Sequence, residues 1–493
     1  MIWANFLHIY QPVDQEREIL EAVVNQSYRP ILKALDQAKN VKITLNINAS
    51  LTELLVKQGY LDVIDLLRKL GGEGKIEFTG SAKYHAVLPL LPDSEIERQI
   101  IINEETNRQL LGESYKPKGF FPPEMAYTPR LVNILEKFGY EWLLLDEIAC
   151  GGKVGSVDYS KIYRIKDSEL KVFFRERRVS NLIMSAMVRS GASLVQSLQG
   201  EIKANKYLLT AMDGETFGHH RVGLEKLLFD IFAYPDFKLV GVSDLLGLYP
   251  NEIEVEPVES TWASSEEDIS KKVQFLTWND PENPIHQHQH QLTNLVIAEV
   301  QKIDLTDISY SNVRAKMDSS LASDQFFWAS ANPWWSIEMI ESGAINLIRV
   351  LEGIPGLPQE VLEKAKGYYQ KILMAAFESK RTGLIYEKHK ARVRIPFKEA
   401  TLETEGKEHV FPAFMSLMKR LEIEAVAKGE YEQAILWRDA VYKLENKNDI
   451  YDLINAVDLV RIKIPNEEVE EVIKKYEGQY KKMRGGQPEQ RDL

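Results

Sequence analysis

From residue 1 to about residue 285, short apolar runs end abruptly in clusters of acids, histidines and glycines, and an amphipathic stretch separates each run from the next. That alternation is the pattern of βα units around a parallel sheet. It predicts strands at residues 2–7, 41–47, 75–78, 118–121, 142–145 and 207–212, with helical patterns between them, such as residues 51–69. Six such strands in succession favour an α/β barrel over a small open sheet. Parallel α/β folds place their ligand sites at the C-terminal ends of the strands. His8, His85, Glu124, Asp146 and Asp213 each follow such an end, so positions far apart in the chain can converge on one crevice. Beyond residue 285 the strand signal fades. Long helical patterns take over at 291–302, 333–351, 358–379 and 408–428, amphipathic enough to pack on each other and on the barrel. The expected division is a catalytic barrel at 1–284, a helical bundle packed on it at 285–482 and a flexible Gly-, Gln- and Pro-containing tail at 483–493.

A chain of 493 residues is too long for one core of ordinary size, and 44% hydrophobic residues suffice to fill a large one. The formal net charge of −12 argues against nucleic acid as a partner, since phosphate binding relies on clustered Lys and Arg. A single cysteine, Cys150, allows neither an internal disulfide nor a thiolate zinc site, and fits a reducing compartment. The apolar start, Met1 to Leu7, lacks a basic leader region and a cleavage site and runs straight into His8, so it reads as a buried strand. No stretch approaches the roughly 18 to 20 apolar residues of a membrane span. A soluble, cytoplasmic protein is the expectation.

The densest chemistry lies at residues 208–220, where Leu-Leu-Thr-Ala-Met runs into Asp213, Gly214, Glu215, Thr216, Phe217, Gly218, His219 and His220. Asp-Gly is also a common turn pair, but a turn alone does not call for five polar side chains within eight residues. A second apolar run delivers one carboxylate, Glu124, through Pro122 and Pro123, whose fixed φ stiffens the approach. Alone, this glutamate reads better as a charge at a helix start. Two carboxylates from separate strands are what glycosidic bond cleavage requires, one to protonate the departing oxygen and one to attack the anomeric carbon or activate water. Sugar faces stack on rings, and Trp262, Trp278, Trp328, Trp334 and Trp335 all follow the second acidic segment, although core packing would account for any one of them. No metal-binding histidine motif is present, and His286, His288 and His290 read as a helix entry or a surface.

In order along the chain, these segments resemble the motifs of glycoside hydrolase family 57. His8-Ile9-Tyr10-Gln11-Pro12 is similar to the first motif, residues 74–89 to the second, 118–129 to the third, 211–220 to the fourth, and Ser323-Asp324-Gln325-Phe326 loosely to the fifth. The chain departs from the family at Tyr10, where many members carry a second histidine, and at His85, where several carry a glutamate. The resemblance implies a distorted TIM-like (β/α)7 barrel followed by a helical bundle, acting on α-linked glucans or oligosaccharides without cofactor or metal. It further implies retention at the anomeric carbon, with Glu124 as nucleophile, Asp213 as general acid/base and their carboxyls about 5 to 5.5 Å apart. His8, Gln11, His85, Glu215 and His219 fall at substrate-binding positions, with Trp262 and Trp328 as stacking platforms. Hydrolysis, as in an α-amylase, and transfer, as in a 4-α-glucanotransferase, are both compatible with this pattern. The rival readings are a metal-dependent polysaccharide deacetylase or mannosidase-like enzyme and a non-catalytic carbohydrate-binding protein.

Overall fold

The computed structural model describes residues 1–391, 408–446 and 456–484, apart from Gln199, Leu305, Asn332 and Pro333. From residue 485 onward, the tail expected at 483–493 lies outside the described residues. The chain forms two compact units, one of Met1–His220 with Leu224–His389 and one of Arg221–Gly223 with Lys390–Leu493.

In the first unit, ten strands among the described residues make one sheet: β1 (Ile2–Ile9), β2 (Ile43–Ile47), β3 (Ile76–Gly80), β4 (Gly119–Phe120), β5 (Trp142–Asp146), β6 (Ile162–Ile165), β7 (Lys171–Arg175), β8 (Tyr207–Asp213), β9 (Lys238–Val240) and β10 (Glu252–Val255). Seven run parallel in the order β7-β5-β4-β3-β2-β1-β8. The sheet curls until its two ends meet, because the Glu176 N–H, just past β7, donates to the Leu209 carbonyl of β8 at 2.7 Å. Around this seven-stranded, distorted barrel, β6 pairs antiparallel with β7, β10 runs alongside β6, and β9 pairs with the first residues of β1.

The six strands expected from the sequence form, each within two residues at either end. The seventh barrel strand, β7, was not expected. Its Lys-Val-Phe-Phe-Arg is bounded by charges and is too short to display a period. One helix expected at 51–69 is two, Ala49–Lys57 and Leu61–Gly72. Gly59 between them sits at φ +86°, a left-handed conformation that ends the first helix.

Side chains alternate across a strand, so one parity faces the barrel interior and the other the surrounding helices. Trp3 and Leu7 of β1 and Leu208 and Met212 of β8 pack outward with Val23, Leu32, Ile64 and Leu227. Ala4, Phe6, Leu209, Ala211, Trp142, Leu144 and Phe173 pack inward on one another. Each such fully buried large side chain contributes about 1.5 to 3 kcal/mol relative to exposure. Continuing the inward parity to the strand ends brings His8, Asp146, Arg175 and Asp213 to the top of the interior, and His8 is the register partner of Asp213.

The outward side of β5 and β7 supports the first unit's later helices, Pro284–Val300, Tyr310–Ser320, Ile337–Glu352 and Gln359–Arg381. Leu292, Val296, Met317, Leu347 and Ile372 share a core with Leu143, Leu145 and Phe174. Helix Tyr310–Ser320 is also held electrostatically. Buried Arg314 pairs with Glu95 and Asp318, and Arg98 joins Asp318 at 2.7 Å. The described helices of the second unit, Val410–Ala427, Tyr431–Asn446, Ala456–Lys463 and Asn466–Arg484, pack around Met418, Trp437, Leu444 and Val460. No described helix is long and apolar enough to cross a membrane.

Candidate active site

Strand β4 is two residues long and leads through Phe121, Pro122 and Pro123 to Glu124, whose backbone is left-handed at φ 62°, ψ 14°. A non-glycine residue persists there only when its surroundings over-determine it. Three bonds do so. The Met125 N–H donates to the Pro122 carbonyl at 2.8 Å, the Tyr127 N–H to the Ser260 carbonyl at 2.9 Å, and the Trp262 N–H to the Glu124 carbonyl at 3.1 Å. The Trp262 indole Nε1–H then donates to Glu124 Oε2 at 2.7 Å, so one residue grips both the backbone and the carboxylate of Glu124.

Asp213 ends β8, half-buried. Burial raises its carboxyl above the usual range, and the charge of the nearby Arg175 opposes that rise. Glu124 is pushed up to about 8, first by burial and then by the charge of Asp213, against the Trp262 hydrogen bond. The charge of Asp213 thus opposes ionisation of Glu124. The indole donor favours the ionised form of Glu124. Among the described residues, no hydrogen bond is made to the Asp213 carboxylate.

Two neutral histidines stand beside the pair. Asn46 donates through Nδ2 to Thr79 Oγ1 at 3.0 Å and toward the Gly80 carbonyl at 3.5 Å, which leaves its Oδ1 to accept from His8 Nδ1–H at 2.8 Å. With its proton on Nδ1, neutral His8 offers a bare Nε2, and His85 Nε2–H donates to it at 3.1 Å. His85 Nδ1 is then the acceptor for the Ser323 hydroxyl at 2.9 Å, and stands 3.8 Å from Glu124 Oε1. Burial holds both imidazoles below the ordinary histidine range, consistent with these neutral tautomers. Tyr10 stacks on His85 at 4.3 Å and donates its hydroxyl to Asp324 Oδ2 at 2.6 Å.

Buried Glu215, two residues past Asp213, accepts from the Tyr10 N–H at 3.2 Å, from Gln11 Nε2 at 3.4 Å and from the Tyr28 hydroxyl. It too is pushed up to about 8, by burial and then by Asp213. Glu124, Asp213, His8, Gln11, His85, Glu215 and Trp262 therefore form one cluster. His219 is half-buried and bonds Gln26 Oε1 at 2.8 Å. Trp328 packs against Trp334 and Phe327 at 5.9 and 6.1 Å, one turn beyond Asp324. Among the described residues, neither is hydrogen-bonded to the two carboxyls.

Arg175, Tyr28 and Asn46 belong to the site but carried no sequence signal, since each is set by strand parity or by a partner distant in the chain. His286 and His290 sit on one face of helix Pro284–Val300, where they bond the Phe326 and Trp278 carbonyls at 2.9 and 3.0 Å. Among the described residues, no group of three His, Cys, Asp or Glu side chains is placed to hold a metal ion.

The model of glycosyl hydrolase family 57 matches residues 4–229. An alpha-amylase of Pyrococcus abyssi is 26% identical over 215 residues, 43% of this chain and 32% of that protein. A 4-alpha-glucanotransferase of Thermococcus litoralis is 25% identical over 215 residues, with the same shares of 43% and 32%. The chain thus spans only about a third of these curated relatives. In fold, it is similar to the crystal structure of a family 57 branching enzyme from Thermococcus kodakaraensis, with TM-score 0.59 at 18% identity over 75% of this chain and 94% of that one. The residues that carry both carboxyls thus lie within the stretch 4–229 that matches glycosyl hydrolase family 57.

Proposed function

We propose that the chain is a retaining α-glycoside hydrolase or transglycosylase acting on α-linked glucans, with Glu124 as nucleophile and Asp213 as general acid/base. The observation that carries this reading is that the ends of β4 and β8 bring two carboxyls within electrostatic reach in one interior, and only Glu124 receives an indole N–H. The singly protonated pair is the reactive form. Asp213 gives its proton to the leaving oxygen while Glu124, its charge favoured by Trp262, attacks the anomeric carbon. In the second half-reaction Asp213 takes the acceptor's proton as the acceptor oxygen bonds that carbon, and Glu124 departs as a carboxylate.

His8, Gln11, His85, Glu215 and His219 serve the sugar hydroxyls in this proposal, and Trp262 and Trp328 its apolar faces. Relatives named as an alpha-amylase and a 4-alpha-glucanotransferase support an α-glucan as substrate. A cytoplasmic location is part of the same reading, supported by the free thiol of the single cysteine.

The test is product analysis with maltooligosaccharides, comparing wild type with Glu124→Gln and Asp213→Asn. Shorter products alone identify hydrolysis, and a ladder of shorter and longer chains identifies transfer. Both variants lose turnover. No turnover by folded wild type removes the α-glucan assignment.

A further inference from the structure

The barrel's seventh strand ends in Arg175, a guanidinium 3% exposed at the side-chain level and turned by strand parity into the same interior as Asp213. Its Nη1 meets Asp146 Oδ2 at 3.2 Å, and its Nη2 donates to Asn181 Oδ1 at 2.6 Å. Its Nε is buried without a hydrogen-bond partner. The guanidinium carbon lies 5.7 Å from the ring centroid of Trp262, in the geometry of a cation–π contact.

Arg177, two residues on, pairs with Asp146 at 2.7 Å and donates to the carbonyls of Trp262 and Ser264 at 3.1 and 3.0 Å. Two guanidinium groups thus share the Asp146 carboxylate, with Glu147 beside Arg177. Arg175 sits against the one residue that grips Glu124, and within electrostatic reach of Asp213. The remaining titratable groups that act on Asp213 or are acted on by it are His8 of β1, Glu124 after β4, Glu215 in its own turn and Tyr28. The histidines are neutral, so Arg175 is the permanent cation of this set.

We propose that Arg175 is a positioning residue of the two-carboxylate reaction, holding the Trp262 ring against Glu124 and supplying the fixed positive charge against which Asp213 releases its proton. The inference rests on the two-carboxylate reading above. Without Arg175, Asp213 would keep its proton to higher pH and donate it to the leaving oxygen less readily. The Trp262 indole would also lose the cation that seats it.

The experiment is kcat and KM of the full-length chain on a maltooligosaccharide across pH, for wild type, Arg175→Met and Arg175→Lys. Near-UV circular dichroism verifies that each variant is folded. Arg175→Met is expected to lower kcat at least tenfold with KM changed less than threefold, and to move the alkaline limb of the pH profile up by about one unit. Arg175→Lys keeps the charge but loses the planar fork, so its alkaline limb stays at the wild-type position while its kcat falls. A merely structural arginine would not move the limb. An Arg175→Met variant with the wild-type limb and kcat overturns the inference. Should that variant fail to fold, an Arg175→Lys enzyme with unchanged kcat overturns it instead. Failure of the two-carboxylate reading looks different, because Glu124→Gln and Asp213→Asn would then turn over like wild type.

Discussion

Replacing Trp262 with phenylalanine keeps a ring beneath Arg175 but deletes the Nε1–H that stands 2.7 Å from Glu124 Oε2. Hydrogen bonds to charged groups contribute about 1.5 to 3 kcal/mol. The nucleophile must be ionised to attack, so this contribution is lost from the reactive state and not from the protonated one. At about 1.4 kcal/mol per factor of ten, kcat/KM should fall by about 10- to 150-fold. The same loss raises Glu124 above its value of about 8, by one to two pH units. Because Glu124 must lose its proton before the reaction, the acid limb of the profile moves up. The assay is the initial rate of maltooligosaccharide turnover from pH 5 to 10, with thermal unfolding to verify that the variant is folded. A folded Trp262→Phe enzyme within twofold of wild type, with an unshifted acid limb, would refute the view that this bond selects Glu124 as the ionised partner.

Glu124→Gln should change the pH dependence of stability as well as abolish turnover. Glu124 has a folded-state value raised from 4.5 to about 8, so the folded protein binds a proton that the unfolded chain has released across that window. Stability therefore falls as pH rises from 4.5 to 8, by at most about 1.4 kcal/mol per pH unit from this group, and the Gln variant lacks that slope. Equal denaturant midpoints for the two proteins at pH 5 and at pH 8 would contradict it. Arg314→Met leaves Glu95 and Asp318, 2% and 3% exposed at the side chain, short of a buried cation. Breaking such a pair from one side destabilises by about 3 to 5 kcal/mol. Chemical denaturation should report that loss, and a change below 1 kcal/mol would count against the pair as the tie between helices Tyr310–Ser320 and Asp93–Leu111.

Much of the barrel was legible in the sequence, because strands buried on both faces read as apolar runs and their ends read as sudden polarity. Glu124 and Asp213 were legible for the same reason, each being the first carboxylate after such a run. What escaped was whatever depends on closure of the sheet. Strand β7 hides its Phe173 and Phe174 between Lys171 and Arg175, so its five residues show neither a long apolar run nor a clear period. Missing β7 meant missing Arg175, whose partners Asp146 and Trp262 lie 29 residues before it and 87 after it. The neutral tautomers of His8 and His85 were equally invisible, since they follow from the orientation of the Asn46 amide. Tyr10 looked only like a departure from a motif, whereas its stack on His85 and its bond to Asp324 join the barrel to the segment that opens at Ser323.

The central claim is that Glu124 attacks the anomeric carbon directly. Proton NMR of the first sugar anomer released from an α-linked maltooligosaccharide, recorded before mutarotation, tests it. The account predicts the α anomer, the net result of two displacements through a glycosyl-Glu124 intermediate. First release of the β anomer would mean a single displacement by water and would contradict the assignment of Glu124 as nucleophile.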